Sequence, residues 1–114
     1  MEVRNYKRLE VFKNPHGIQS FKLYDKDHAV IMHLLLKSGE SLKPHITPVD
    51  VAFYVLEGNP SILVGEEKIQ VEINDIIESP KNIIHCIYNE TDKDVRVLVM
   101  KLPKPTSQTK IINK

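Results

Sequence analysis

The sequence predicts an all-β domain, a sandwich or small barrel of two antiparallel sheets. Three observations carry this reading. Short apolar runs recur between closely spaced turn signals, and none of them sustains a helical period. β-Branched residues abound, with thirteen isoleucines, eleven valines and four threonines among 114 residues. Such side chains are stiff at their first torsion and pack well on a pleated surface. Many short strands between turns build sandwiches and barrels rather than helical layers.

The elements follow in order. Residues 20–24 read as a short strand closed by the polar turn Asp25-Lys26-Asp27. Residues 28–37 (HAVIMHLLLK) are apolar at nearly every position, which suits a strand buried on both faces. Ser38-Gly39-Glu40-Ser41 breaks it, and Pro44 and Pro48 exclude a helix around His45-Ile46-Thr47. Residues 49–56 (VDVAFYVL) form the next strand, ended by Glu57-Gly58-Asn59-Pro60. Strands at 61–64 and 68–73 flank Gly65-Glu66-Glu67 as a hairpin. A strand at 75–78 follows Asn74, and Ser79-Pro80-Lys81-Asn82 then turns the chain. Strands at 83–88 and 95–102 complete the set, joined by the polar loop 89–94. The expectation is one domain over 1–114, with a barrel core over about 20–102 and a C-terminal tail over 103–114. Proline, threonine and lysine in that tail argue against packing.

Charge and composition exclude several functions. Sixteen basic and fifteen acidic residues give a formal charge of +1, so no global field attracts nucleic acid or an anionic membrane. There is no tryptophan, and seven aromatics are few for stacking single-stranded nucleic acid. The lone Cys86 forms no internal disulfide, and the first residues lack the apolar region of a signal peptide. A cytoplasmic protein is the expectation, with no membrane span.

Two histidines stand at turn-to-strand junctions. His45 follows Gly39 by six residues, and Val55-Leu56-Glu57-Gly58 closes the segment; His85 lies five residues after Pro80 and four before Asn89. Here the sequence resembles the cupin superfamily in both of its signature motifs. The first motif is a glycine, five residues, a His-x-His pair, a glutamate three or four residues later and a closing glycine. Gly39, His45 and Gly58 occupy its places. In the second motif Pro80, His85 and Asn89 match, while Asn74 and Asn82 stand where the family has glycine. Asparagine is a plausible substitute because it tolerates left-handed backbone. The resemblance covers roughly residues 28–102 and implies a double-stranded β-helix, a jelly-roll barrel of two antiparallel sheets with a pocket inside.

The resemblance also implies a divalent metal (Fe, Mn, Ni or Zn) held by paired histidines, a glutamate and the late histidine. Carried over, His45 matches the first ligand and His85 the last, but Thr47 stands at the second histidine position and Val51 at the glutamate position. Two imidazoles alone hold such ions weakly. A β-bulge after Pro48 would turn Asp50 inward and complete a set of His45, His85 and Asp50. His33, in mid-strand, is the other candidate ligand, with a satisfied core histidine as its plainer reading. His16 and His28, near turns, read as solvated, and Cys86 as a buried structural thiol.

Strand parity lines the expected pocket with Phe53, Val55, Ile83 and Ile87, with His45, Thr47 and His85 as its polar groups. Such a cavity suits a small, partly apolar ligand. The leading functional expectation is therefore a small-molecule binding module, with or without a weakly held metal. The alternatives are a metal-dependent enzyme (a dioxygenase, isomerase or decarboxylase acting on a small carbonyl or sugar-like compound) and a non-catalytic dimeric scaffold. A homodimer is expected, because strand 28–37 is apolar on both faces and edge strands need cover.

Overall fold

In the computed structural model, which describes residues 1–112, ten strands form two five-stranded antiparallel sheets, as the sequence predicts. The first sheet runs, edge to edge, β1 (Gln19–Lys26), β2 (Ala29–Leu36), β9 (Val95–Leu102), β4 (Asp50–Glu57) and β7 (Ile76–Ser79). The second runs β10 (Lys110–Ile111), β3 (His45–Ile46), β8 (Ile84–Tyr88), β5 (Ser61–Val64) and β6 (Glu67–Gln70). Only a three-residue 3-10 turn, Tyr6–Arg8, is helical, so no helix among the described residues is long and apolar enough to cross a membrane.

Residues paired across an antiparallel ladder share a face. The registers therefore define inward rows through the first sheet. One row is Val30, Lys101, Val51 and Ser79; the next is Met32, Val99, Phe53 and Ile77. Toward the other end of the barrel, Leu34, Val97, Val55, Leu36 and Val95 meet Ile62 and Ile87 of the second sheet in a dry core. Burying one such aliphatic side chain contributes about 1.5–3 kcal/mol.

In β1 the pairing jumps from Lys22↔Met32 to Tyr24↔Ile31, which leaves Leu23 as an extra residue. This β-bulge resets the alternation, so Lys22 and Asp25 both face inward instead of falling on opposite sides.

Turn chemistry holds the strands in place. Asn74 (φ 76°) and Asn82 (φ 63°) adopt the left-handed backbone that the family's glycines would supply. Asn89, buried in the β8–β9 loop, donates its amide to the carbonyls of Leu36 (3.0 Å) and Lys93 (2.7 Å) and accepts from the backbone and hydroxyl of Thr91. Its own N–H donates to Glu40 O and its carbonyl accepts from Gly39 N–H, tying this loop to the turn after β2.

Three differences from the sequence reading concern pairing rather than pattern. The hairpin's second strand ends at Gln70, because the Asp75 carboxylate accepts from Glu72 N–H (2.9 Å) and folds 72–75 into its own turn. Residues 45–46 pair with both β8 and β10, although two residues are too few to show a period. The expected loose tail instead returns to the barrel: Ile111 pairs with His45, and Ile112 N–H donates to Pro44 O (2.8 Å). On the outer face of the first sheet, expected to meet a second copy, Tyr6 stacks on His33 (3.9 Å between ring centroids) and tilts against Phe21.

Gly58 sits at φ 82°, where a Cβ would lie 2.6 Å from Asp94 O and 2.8 Å from a Val95 methyl. Gly58→Ala is expected to lower stability by about 2–4 kcal/mol, combining left-handed strain with a backbone clash. Asn82→Gly should stay within about 0.5 kcal/mol of wild type, since it retains the backbone freedom the turn needs. Urea unfolding of the two variants checks both, and equal losses would contradict the assigned turn geometry.

Candidate functional site: a cavity with an imidazole floor

One end of the barrel encloses a cavity of about 350 Å³. Its apolar wall comes from β2 and β9 (Val30, Met32, Leu34, Val99), Phe53 of β4 and Leu42 ahead of β3. The segments flanking the barrel close the mouth, with Phe12, His16 and Ile18 from the N-terminal side and Pro105, Thr109 and Ile111 from the C-terminal side.

Three imidazoles run from the mouth toward the core. The His16 and His45 rings lie 4.8 Å apart between centroids, and the His45 and His85 rings 4.4 Å apart at 77°. A single residue fixes the outer two: Lys43 N–H donates to His16 Nδ1 (2.8 Å), and Lys43 O accepts from His45 Nδ1 (2.6 Å). His45 is thereby held in the Nδ1–H tautomer, and its acceptor nitrogen, Nε2, has no hydrogen-bond partner among the described residues. His85 differs. Ser79 Oγ meets its Nδ1 at 2.7 Å, and Thr47 Oγ1 meets its Nε2 at 3.2 Å, so one hydroxyl donates to the ring and the other accepts from it.

The expected site residues divide accordingly. His45 and Phe53 line the cavity. His85 lies behind them, edge-on to Phe53 at 5.2 Å, and Thr47 is buried as its hydrogen-bond partner. Val55 and Ile87, expected in the pocket wall, are instead fully buried in the packed core below, because the core fills that end of the barrel. Ile83 is 39% exposed, since the strand starts one residue later than the sequence suggests.

Asp50 requires a correction. β4 carries no bulge near Pro48, its irregularity lying between Val55 and Glu57, so Asp50 keeps the outward parity. It is exposed, and its carboxylate accepts from Lys81 N–H (2.9 Å). His33 also belongs to the outer face, where Arg96 donates to its Nε2 (3.0 Å). His16, expected to be solvated, belongs to the cavity. Cys86 is fully buried, and its thiol donates to Leu42 O (3.2 Å).

The residues present do not fit a resident divalent metal. Both nitrogens of His85 are engaged, His16 Nδ1 accepts from Lys43 N–H, Thr47 and Val51 replace the other two expected ligands, and among the described residues no three His, Cys, Asp or Glu side chains are placed to hold a metal ion. The Lys101 side chain faces the cavity from directly opposite Val51, and its ammonium repels a cation there.

Burial holds the imidazoles neutral. His85 is lowered to about 3 and His16 to about 4, each by desolvation first, with neighbouring positive groups adding to the effect. His45 is lowered as well, again mainly by burial. On the outer face His33 is lowered to about 4 by burial and by Arg96. Unfolded imidazoles titrate near 6.5, so below that pH the unfolded chain takes up protons that the native chain refuses. Stability is therefore expected to fall as pH drops from 6.5 toward 4. His85→Gln, which retains a donor and an acceptor, should remove about one proton from that slope. Urea midpoints across this range test it, and an unchanged slope in the variant would show that His85 protonates freely in the fold.

Comparison with known proteins agrees with this architecture. No curated protein matches the sequence. Among solved structures, TT1209 from Thermus thermophilus is 26% identical, covering 92% of this chain and 100% of its own, at a TM-score of 0.79. An RmlC-like cupin from Methanocaldococcus jannaschii, with a double-stranded β-helix fold, is 23% identical over 92% of this chain and 94% of its own, at 0.74. The polyketide cyclase RemF from Streptomyces resistomycificus is 18% identical over 100% of this chain and 87% of its own, at 0.84. The cupin-domain family model matches residues 32–101, the stretch that holds both histidine motifs and most of the barrel. The chain belongs to the cupin family.

Proposed function

We propose that this protein binds a small, mostly apolar molecule in the barrel cavity and does so without a resident metal. The observation that carries the proposal is the cavity itself, about 350 Å³ with a largely aliphatic wall and a few convergent polar groups at one end. Sites that enclose small ligands have this composition, with apolar area supplying affinity and sparse polar groups fixing orientation. His45 offers an acceptor nitrogen in a ring that the Lys43 carbonyl has already oriented. A metal-dependent dioxygenase, isomerase or decarboxylase finds less support, because the donor set is incomplete and His85 is spent on hydroxyls.

Filling the cavity tests the binding reading. Val99 stands in the wall, and Val99→Trp should project an indole into the space a ligand would take. Calorimetry with 4-phenylbutyramide, a neutral probe with an apolar body, is expected to show binding to wild type. The variant should bind at least about tenfold more weakly while keeping its β-sheet circular dichroism. Unchanged affinity would sink the assignment of the cavity.

The metal reading has its own test. Thr47→His, Val51→Glu and Lys101→Met in one chain would restore the missing donors and remove the opposing charge. Replacing Thr47 would also free His85 Nε2 while Ser79 still orients Nδ1. The triple variant is expected to gain melting temperature with Co, Ni or Zn, whereas wild type shows little shift. A large shift in wild type, lost on chelation, would reverse the conclusion.

A further inference from the structure

We propose that the cavity selects a ligand bearing a carboxylate, which sits on the ammonium group of Lys101. This deepens the binding function proposed above and rests on it, adding the head-group chemistry. Lys101 continues the inward series Val95, Val97 and Val99 along β9, so strand alternation directs its side chain into the barrel. Across the ladders it faces Val30 and Val51, neither of which can balance a charge. Among the described residues Asp25 is the only acidic one lining the cavity, and it is already engaged: Lys22 and Lys104 hold its carboxylate at 3.2 and 2.8 Å. Lys101 has no carboxylate within salt-bridge distance among the described residues.

A half-buried ammonium such as that of Lys101, partly removed from water without a counterion, is unfavourable, and a bound anion relieves that condition. The Lys101 charge reaches the whole polar end of the cavity, since it contributes to lowering His16, His45 and His85. Burial also lowers Lys101 below the ordinary lysine value. Carboxylate suits this setting better than phosphate. Among the described residues no arginine lines the cavity to grip a dianion bidentately, and the single glycines of this sequence form no phosphate-cradling loop. The aliphatic wall from Val30 to Val99 then takes the apolar body of an aryl- or alkyl-carboxylic acid.

Calorimetry with 4-phenylbutyrate and 4-phenylbutyramide tests the idea, because the two probes share a shape and differ in charge. Wild type is expected to bind the acid about ten- to a hundredfold more tightly than the amide, as one charge-assisted contact predicts. Lys101→Met should abolish that preference while binding the amide at least as well, and it should melt no lower than wild type, having lost an unbalanced half-buried charge. A pH series on the unmutated chain gives an independent reading. As pH rises through the titration of Lys101, which sets in below the ordinary lysine value, the acid's advantage should shrink, with amide affinity unchanged. Equal affinities for the two probes, a preference that survives Lys101→Met, or one that shows no decline as pH is raised to 10.5 would each overturn the carboxylate assignment alone. Failure of wild type to bind either probe would overturn the cavity function beneath it.

Discussion

The hydrogen-bonded chain Ser79–His85–Thr47 is the constraint on which the polar end of this barrel depends. Ser79 ends β7 in one sheet, His85 belongs to β8 in the other, and Thr47 follows β3, so one imidazole ties the two sheets together. An imidazole satisfied on both sides in a dry setting has no nitrogen left for a metal and little tendency to accept a proton. His45 packs edge-on against it and is oriented from its other side by the Lys43 carbonyl. Phe53 closes over it from the first sheet. The floor of the cavity is thus rigid, neutral and preorganised, and the positive charge of the pocket resides on lysine.

The barrel divides its inward positions between two tasks. Near Val95, Val97, Val55 and Ile87 every residue is fully buried, and side chains from the two sheets interdigitate with no space for a guest. Near Val30, Val99 and Phe53 the inward side chains of the same strands instead border open volume. A cavity forgoes dispersion contacts that a filled core would make, so the packed end sustains stability while the open end is left for binding. Few elements beyond those strands are needed to complete the pocket, and those that do so are the least regular parts of the fold.

Much of the fold was legible in the sequence because strand signals are local. The alternating and apolar runs placed eight of the strands, and Asn74 and Asn82 appear in the left-handed turns where asparagine was the best stand-in for glycine. The motif spacing pointed to His45 and strand parity to Phe53, and both side chains line the cavity. Other features escaped for identifiable reasons. β10 and β3 are two-residue pairings whose partners are distant in sequence, so neither has a pattern of its own. His16 reaches the cavity from an irregular segment through a backbone hydrogen bond to Lys43. Val55 and Ile87 had the correct parity but lie too deep, since alternation fixes a face and not a level within the barrel. Lys101 could have been found: a lysine in phase with three valines on an otherwise buried strand face is a visible anomaly.

The extra residue in β1 has a consequence beyond local geometry. Leu23 sets Lys22 and Asp25 on the same side, and with them the one carboxylate that balances Lys22 and Lys104. Deleting that residue would remove the bulge and leave Tyr24, Asp25 and Lys26 on the partners and faces they already have, whereas keeping it in a regular strand would turn them over. Relatives that lack the extra residue here would keep the same charge complement in their pockets, because the bulge already absorbs one residue of length without shifting the register to β2. Length variation at this point is therefore buffered, and ligand preference in such lineages is insulated from a one-residue insertion or deletion in β1.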